Sequence, residues 1–251
     1  MRLDKLLSHC GLGTRKEVKD LIKSGQVQVN DKIIKKDGYQ VDENNDVIKL
    51  NDEMVEYRQY VYIMLNKPAG YISATFDKVH ATVVDLIEGY DQFELFPVGR
   101  LDIDTEGLLL MTNDGHLAHH ILSPKKHVPK VYFAKIDGIV DQSDIEAFKQ
   151  GIVLSDFTCM PANLKILKVE NNQSEIEVEI FEGKFHQVKR MFESRLKPVI
   201  YLKRIKMKNL VLDPMLKLGQ YRELTEEELD ELSKLCLLYT SDAADEGLGV
   251  D

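Results

Sequence analysis

The sequence predicts an α+β protein with a small N-terminal domain and a larger second domain. Three observations support this prediction. Strand-like and helical segments are mixed along the chain, and 251 residues with 43% hydrophobic content can build a substantial core. Near residues 57–59 an acidic stretch gives way to a strand-like apolar run without a long linker. We expect domains at residues 1–57 and 58–235, followed by an acidic tail over 236–251 that is either disordered or a translated adapter sequence.

The chain opens with a segment that is typical of a short helix. Leu3, Leu6 and Leu7 have the spacing of one helix face, and Gly11 and Gly13 interrupt the pattern. A first helix that ends before these glycines is therefore expected.

A second helix and a hairpin follow. Thr14 and Glu17 have the spacing of a capping box, which favours a helix start at this point. Gly25 ends the helix. The alternating VQV at 27–29 and the Asn-Asp pair at 30–31 then predict a strand and a tight turn.

Charge is distributed unevenly along the chain. The formal net charge is −9, but residues 223–251 carry ten acidic residues and one lysine, so the rest of the chain is neutral overall. Residues 1–36 hold nine basic residues against four acidic ones, and residues 182–208 hold nine against two. Such local basic surfaces are typical of proteins that contact a phosphate backbone, although solvated helix faces give the same pattern.

The first 55 residues resemble the S4 RNA-binding domain. The similarity lies in RLDKLL, in GLGTR and in GQVQVN. It implies that two short helices present a rigid basic surface to structured RNA, which can contact phosphates without reading sequence. The residues expected on this surface are Arg2, Lys5, Arg15, Lys16 and Lys19.

The larger domain contains strand-like segments at 131–136, 176–180 and 205–212. Helical patterns fall at 143–149 and 186–194. This mixture indicates a substantial sheet accompanied by helices.

The segment GRLDIDTEGLLLMTNDG at 99–115 concentrates acidic residues before an apolar run, a pattern that three kinds of site share in part. A calcium loop would need a bidentate Glu at Asn113. A phosphotransferase of the D-x-D-x-T type would need Thr where Glu106 stands. A zinc site at His116 and His120 lacks a third ligand. No metal site is therefore expected.

The same segment resembles the active-site motif of pseudouridine synthases that modify ribosomal RNA and carry an S4 domain. NKPAG at 66–70, KVYFA at 130–134 and EGKFHQVKRMF at 182–192 match that family in the same order. The resemblance covers residues 1–232 and implies an extended, mostly antiparallel sheet flanked by helices. DIDT, SPKKH and EGKFHQVKRMF are most similar to the small-subunit enzymes, although the large-subunit enzymes share much of the pattern.

The resemblance implies an isomerase that needs no cofactor. Asp102 is implied as the catalytic carboxylate, acting as a nucleophile on the ribose or as a base at its 2′ position. Tyr132 is implied as the ring that stacks on the flipped uracil. A buried carboxylate needs a nearby cation to stay ionised, and Lys189 of HQVKR is the candidate, the alternative being an exposed helix lysine that binds phosphate. Arg100 and Arg190 are expected to contact RNA.

The neighbours of Asp102 are assigned to the turn. Asp104, Thr105 and Gly107 are expected to shape it, without a chemical role. Pro129 and Val131 depart from the family pattern, which carries an acidic residue and Thr there more often.

The implied partner is ribosomal RNA, either alone or in a partly assembled subunit, and a monomer is expected. Cys10, Cys159 and Cys236 lack C-x-x-C spacing, which is typical of a reducing compartment. With no apolar segment of spanning or secretory length, we expect a cytoplasmic protein without a membrane partner. Three alternatives stay open: a large-subunit pseudouridine synthase, a non-catalytic S4-type assembly factor, and a metal-dependent hydrolase.

Overall fold

The computed structural model describes residues 1–237, with side chains described up to Lys234. Of the tail expected over 236–251, all but the first two residues lie outside this part of the chain. The described residues pack as two units, one formed by 1–61 with 88–95 and the other by 62–87 with the residues from 96 onward. None of the helices described is long and apolar enough to cross a membrane.

The first unit contains two helices and a small antiparallel sheet in the order β2-β1-β3-β4. Thr14 and Glu17 form the predicted capping box, and Asn30 and Asp31 adopt positive φ angles of 49° and 61° in the predicted turn. Both predictions are confirmed. The elements are α1 (Leu3–His9), α2 (Arg15–Lys23), β1 (Val27–Val29), β2 (Lys32–Ile33), β3 (Ile48–Leu50) and β4 (Glu53–Met54).

The apolar faces of α1 and α2 bury against this sheet. Leu3, Leu6 and Ile22 are fully buried and pack with Val27 and Ile48 in one cluster. Burying such a side chain contributes about 1.5 to 3 kcal/mol. The helix face opposite the core is left for basic side chains.

The second unit is built on a nine-stranded sheet with the path β13-β5-β7-β11-β8-β10-β9, to which β6 and β12 add at β7 and β11. Within the described part of the chain, the strands pair antiparallel except for β7 with β11. The expected α+β class with a large, mostly antiparallel sheet is confirmed. The strands are β5 (Tyr62–Lys67), β6 (Phe96–Pro97), β7 (Glu106–Thr112), β8 (Lys130–Asp137), β9 (Asn163–Glu170), β10 (Gln173–Ile180), β11 (Val199–Met207), β12 (Leu210–Val211) and β13 (Tyr221–Glu223).

Four helices accompany this sheet: α3 (Gly115–Leu122), α4 (Gln142–Gln150), α5 (Gln187–Glu193) and α6 (Glu226–Leu237). Leu108 and Leu110 of β7 pack with Leu117 and Ile121 of α3 in a buried cluster. The predicted helices at 143–149 and 186–194 are confirmed within one residue at each end.

The single strand predicted over 205–212 is wrong. Strand β11 begins at Val199 and ends at Met207, and the chain then reverses at Lys208, whose φ is 53°. Leu210 pairs back with Met207 as the start of β12. The prediction failed because it continued the strand across Lys208 and Asn209, two consecutive polar residues that break the alternation and form the turn.

Gly107 allows β7 and β11 to approach closely. It lies opposite Arg204 in the parallel pair and has a φ of 102°. A Cβ atom at this position would lie 2.2 Å from the carbonyl oxygen of Arg204. Only glycine fits here, and the loop that precedes β7 is thereby held beside β11.

Candidate active site

The loop of residues 98–105 precedes β7 and is fixed by hydrogen bonds to the segment that follows β5. The Ser73 hydroxyl accepts from the Leu101 N–H and donates to the Leu101 carbonyl, both at 3.0 Å. The Gly70 N–H donates to the Ile103 carbonyl at 2.7 Å. The backbone on both sides of Asp102 is therefore held in one conformation.

Lys67 holds the same loop by hydrogen bonds to its backbone carbonyls. Its side chain is fully buried at the end of β5, and Nζ donates to the carbonyls of Pro68, Asp102 and Thr105 at 3.0, 3.1 and 2.9 Å. Burial lowers the pKa of this lysine to about 8. The sequence assigned Lys67 no role, although a lone lysine that ends an apolar strand is unusual enough to draw notice.

We expect Lys67→Met to destabilise the protein by about 2 to 4 kcal/mol, because the carbonyls of Pro68, Asp102 and Thr105 lose a donor that methionine cannot replace. Urea unfolding measures this change. Lys165→Met, at an exposed position of β9, is the matched control and should change stability by less than about 0.5 kcal/mol. Equal stabilities of the two variants would show that Lys67 does not hold the loop.

Lys189 of α5 bridges two carboxylates of this loop. Its Nζ lies 2.9 Å from Asp102 Oδ2 and 2.6 Å from Asp104 Oδ1. Partial burial lowers the pKa of Lys189, but hydrogen bonds to Asp104 and Asp102 outweigh it and raise the pKa overall. For Asp104 the directions are reversed. Burial raises the pKa of its carboxyl, but the hydrogen bond and the charge of Lys189 outweigh this effect, so the pKa is lowered overall. Asp104, assigned only to the turn, thus also positions the lysine.

His186 adds a second contact to Asp102. Its Nε2 lies 3.6 Å from Asp102 Oδ1, and its backbone precedes α5 with a φ of 49°. The ring stacks on Phe185 with centroids 3.7 Å apart. The sequence assigns this pair no role, although both residues lie in the EGKFHQVKRMF segment that also contains Lys189.

Asp102 opens onto a small cavity of about 60 Å³ that Tyr132 and Arg100 also line. Tyr132 lies on β8, between Arg204 of β11 and Val178 of β10, and is 8% exposed. The structure therefore brings Asp102, Lys189 and Tyr132 to one place. A carboxylate held against an ammonium beside an aromatic wall can act as a nucleophile or base on a stacked ring substrate.

Arg100 and Arg190 are placed differently from each other. Arg100 is exposed at the mouth of the cavity. Arg190 points to the other side of α5, where its guanidinium binds Asp156 and lies over the Phe157 ring.

The basic residues expected on the first unit lie on α1 and α2 or beside them. Lys5, Arg15 and Lys16 are exposed. Arg2 pairs with Asp4 at 2.8 Å, and Lys19 lies 4.0 Å from Asp37.

No group of three or more metal-ligating side chains forms among residues 1–237 as far as they are described. His116 and His120 share helix α3. The nearby carboxylate of Asp114 is engaged as the cap of this helix, because it accepts hydrogen bonds from the N–H groups of His116 and Leu117. The residues 108–111 that would complete a calcium loop form buried strand β7.

Comparison with known proteins gives two family matches. Residues 61–194 match the RNA pseudouridylate synthase family, and residues 1–48 match the S4 domain. A crystal structure of a pseudouridylate synthase is similar to this chain with a TM-score of 0.65 and 34% identity, covering 92% of this chain and 99% of the other.

Curated relatives align over nearly their full lengths. An uncharacterized RNA pseudouridine synthase, YtzG, of Bacillus subtilis is 46% identical over 93% of this chain and 99% of its own. The ribosomal large subunit pseudouridine synthase B of the same organism is 39% identical, covering 93% and 96%. The ribosomal small subunit pseudouridine synthase A of Escherichia coli is 35% identical, covering 91% and 98%.

Proposed function

The chain belongs to the RNA pseudouridylate synthase family and carries an S4 domain, and from this premise we propose that it converts a uridine of small-subunit ribosomal RNA to pseudouridine. The observation that carries the proposal is the contact of Asp102 with Lys189 at the cavity lined by Tyr132. The motifs DIDT, SPKKH and EGKFHQVKRMF support the choice of RNA, since overall identity is similar for small subunit relatives, at 38% and 35%, and for a large subunit relative, at 39%.

The proposed reaction breaks the bond between N1 of uracil and C1′ of the ribose and forms a bond between C5 and C1′. The proton on C5 leaves to solvent and N1 gains one, so atoms balance without a redox partner. Asp102 acts on the ribose, at C1′ or at the 2′ position. Lys189 holds its carboxylate, and Tyr132 stacks on the flipped uracil.

We propose that the two domains have different functions, RNA binding and catalysis. Residues 1–57 bind ribosomal RNA and residues 58–235 carry out the reaction, in the cytoplasm and as a monomer. The substrate is ribosomal RNA, either free or within a partly assembled ribosomal subunit. Arg100, at the mouth of the cavity, is proposed to hold the strand around the flipped nucleotide.

We expect the triple variant Lys5→Gln, Arg15→Gln, Lys16→Gln to weaken RNA binding and to reduce its salt dependence. Each lost phosphate contact lowers the slope of log K against log salt by about 0.7 to 0.9. Filter binding at several KCl concentrations measures the slope. A control variant, Lys32→Gln on exposed strand β2, should change it less. An unchanged slope in the triple variant would mean that this helix surface does not contact RNA.

Mapping of pseudouridines in 16S and 23S ribosomal RNA, with and without this chain, tests the proposed function. One uridine of 16S RNA should lose its modification when the chain is removed and regain it when the wild-type chain returns. The 39% identity to a large subunit enzyme favours 23S RNA as the second candidate. A lost site in 23S RNA would select that candidate, and no lost site in either RNA would contradict both.

A further inference from the structure

A second, larger cavity adjoins the catalytic one. It has a volume of about 270 Å³ and shares Arg100, Tyr132, Gly183 and Lys184 with the catalytic cavity. We call it the rear cavity. A single water needs only about 10 to 15 Å³, so the rear cavity has room for a group much larger than a water or a simple ion.

The wall of the rear cavity is strongly cationic. Among the described residues, Arg100, Lys130, Lys184 and Arg204 line it, against the single carboxylate of Glu182. That carboxylate is already engaged. It accepts from the Met160 N–H at 2.9 Å and from the Gln187 side chain at 2.8 Å, and it lies 3.6 Å from Lys184 Nζ.

Arg204 is the most deeply placed of these cations. It is 2% exposed, and its Nε donates to the Leu108 carbonyl at 2.8 Å. Its Nη2 is buried and has no hydrogen-bond partner among the described residues. A buried guanidinium nitrogen without an acceptor is costly, and the positive charge of this guanidinium adds to the attraction of the cavity wall for an anion.

Lys130 lies on β8 at the same cavity. Its Nζ donates to the Val128 carbonyl at 2.8 Å, and no carboxylate lies within ion-pair distance of it in the described part of the chain. Burial, and then the charge of Arg204, lower the pKa of Lys130 to about 8. Two neighbouring cations therefore face the cavity without an anion between them.

We propose that the rear cavity binds a phosphate group of the RNA strand next to the target uridine, contacted by Lys130 and attracted by the buried charge of Arg204 beside it. The proposal rests on the proposed function, because Tyr132, on which the uracil would stack, lines both this cavity and the catalytic one. Apolar side chains, among them Ile121, Val128 and Met207, form the rest of the wall. They reduce the local dielectric constant and strengthen the attraction between a phosphate and the two cations.

The test compares Lys130→Gln with Lys135→Gln. Lys135 lies on the same strand, is exposed, and sits 3.4 Å from Glu175, so the control loses the same charge away from the cavity. Binding of a 16S ribosomal RNA transcript is measured at pH 7 over a range of KCl concentrations. Lys130→Gln should bind about 10-fold more weakly, with a salt slope lower by about 0.7. Lys135→Gln should match the wild type.

An unchanged affinity and slope for Lys130→Gln would overturn the proposal, as would equal losses in both variants. Equilibrium dialysis with labelled orthophosphate separates the source of the phosphate. The wild type could bind orthophosphate while Lys130→Gln binds RNA as tightly as the wild type. That result would assign the cavity to the free ion and would also overturn the proposal. Pseudouridine formation by the wild type is measured on the same transcript, so failure of the proposed function is seen separately.

Discussion

Replacing Asp102 with asparagine is expected to lower pseudouridine formation by roughly 10⁴-fold or more while RNA binding stays within about threefold of the wild type. Asparagine has nearly the same shape but is neither an anion nor an effective nucleophile. The site should keep its structure, because Lys189 retains its contact with Asp104 and Lys67 bonds to the backbone of residue 102 rather than to its side chain. Chemical mapping of pseudouridine and filter binding on one transcript measure the two quantities.

Asp104→Asn is the matched control for this variant. Asp104 lies two residues away, contacts the same lysine and is 66% exposed, but it does not line the catalytic cavity. We expect a loss of activity of about 10-fold or less, because only the position of Lys189 is disturbed. Near-normal activity of Asp102→Asn would refute its catalytic role. Inactivity of both variants, with a requirement for a divalent ion in the wild type, would indicate a metal site.

Replacing Lys189 with methionine is expected to lower turnover by about 10² to 10³-fold, with RNA affinity within about threefold. The variant leaves Asp102 and Asp104 close together without the ammonium that both contact, and like charges at short range disfavour two ionised carboxylates. Single-turnover rates and filter binding on one transcript measure the two quantities.

Arg190→Met is the control, since Arg190 is the next residue of α5 but contacts Asp156 and Phe157 instead. Its turnover should stay within about threefold of the wild type. If Lys189→Met lost RNA affinity and turnover to the same extent, the lysine would be a phosphate contact and not the partner of Asp102.

Local sequence patterns were sufficient for much of the fold. The capping box of Thr14 and Glu17 and the Asn30–Asp31 turn depend on neighbouring residues only, and both form as predicted. The helix at 186–194 was predicted from its own spacing. Such elements are specified within a few residues, so reading the chain segment by segment finds them.

The parts that could not be predicted depend on contacts between distant residues. Lys67 reaches carbonyls 35 to 38 residues away, and Gly107 is required by the approach of Arg204 on another strand. No local periodicity encodes the order of strands in a sheet. Residues 88–95 likewise join the N-terminal unit from within the second one. The motif resemblance indicates the residues around Asp102, whereas the contacts of Lys67 and Gly107 that hold this loop are visible only in the folded structure.

Release of tritium from C5 of uridine in ribosomal RNA tests the central claim most directly. Joining C5 to C1′ must displace the hydrogen on C5, so wild-type protein should release tritium to solvent in proportion to the pseudouridine formed. The release should proceed in excess EDTA with no added cofactor, and Asp102→Asn should reduce it to background. Two results would contradict catalysis by Asp102 in this reaction. One is tritium release without pseudouridine formation, and the other is no release by the wild-type chain from any ribosomal RNA or partly assembled subunit.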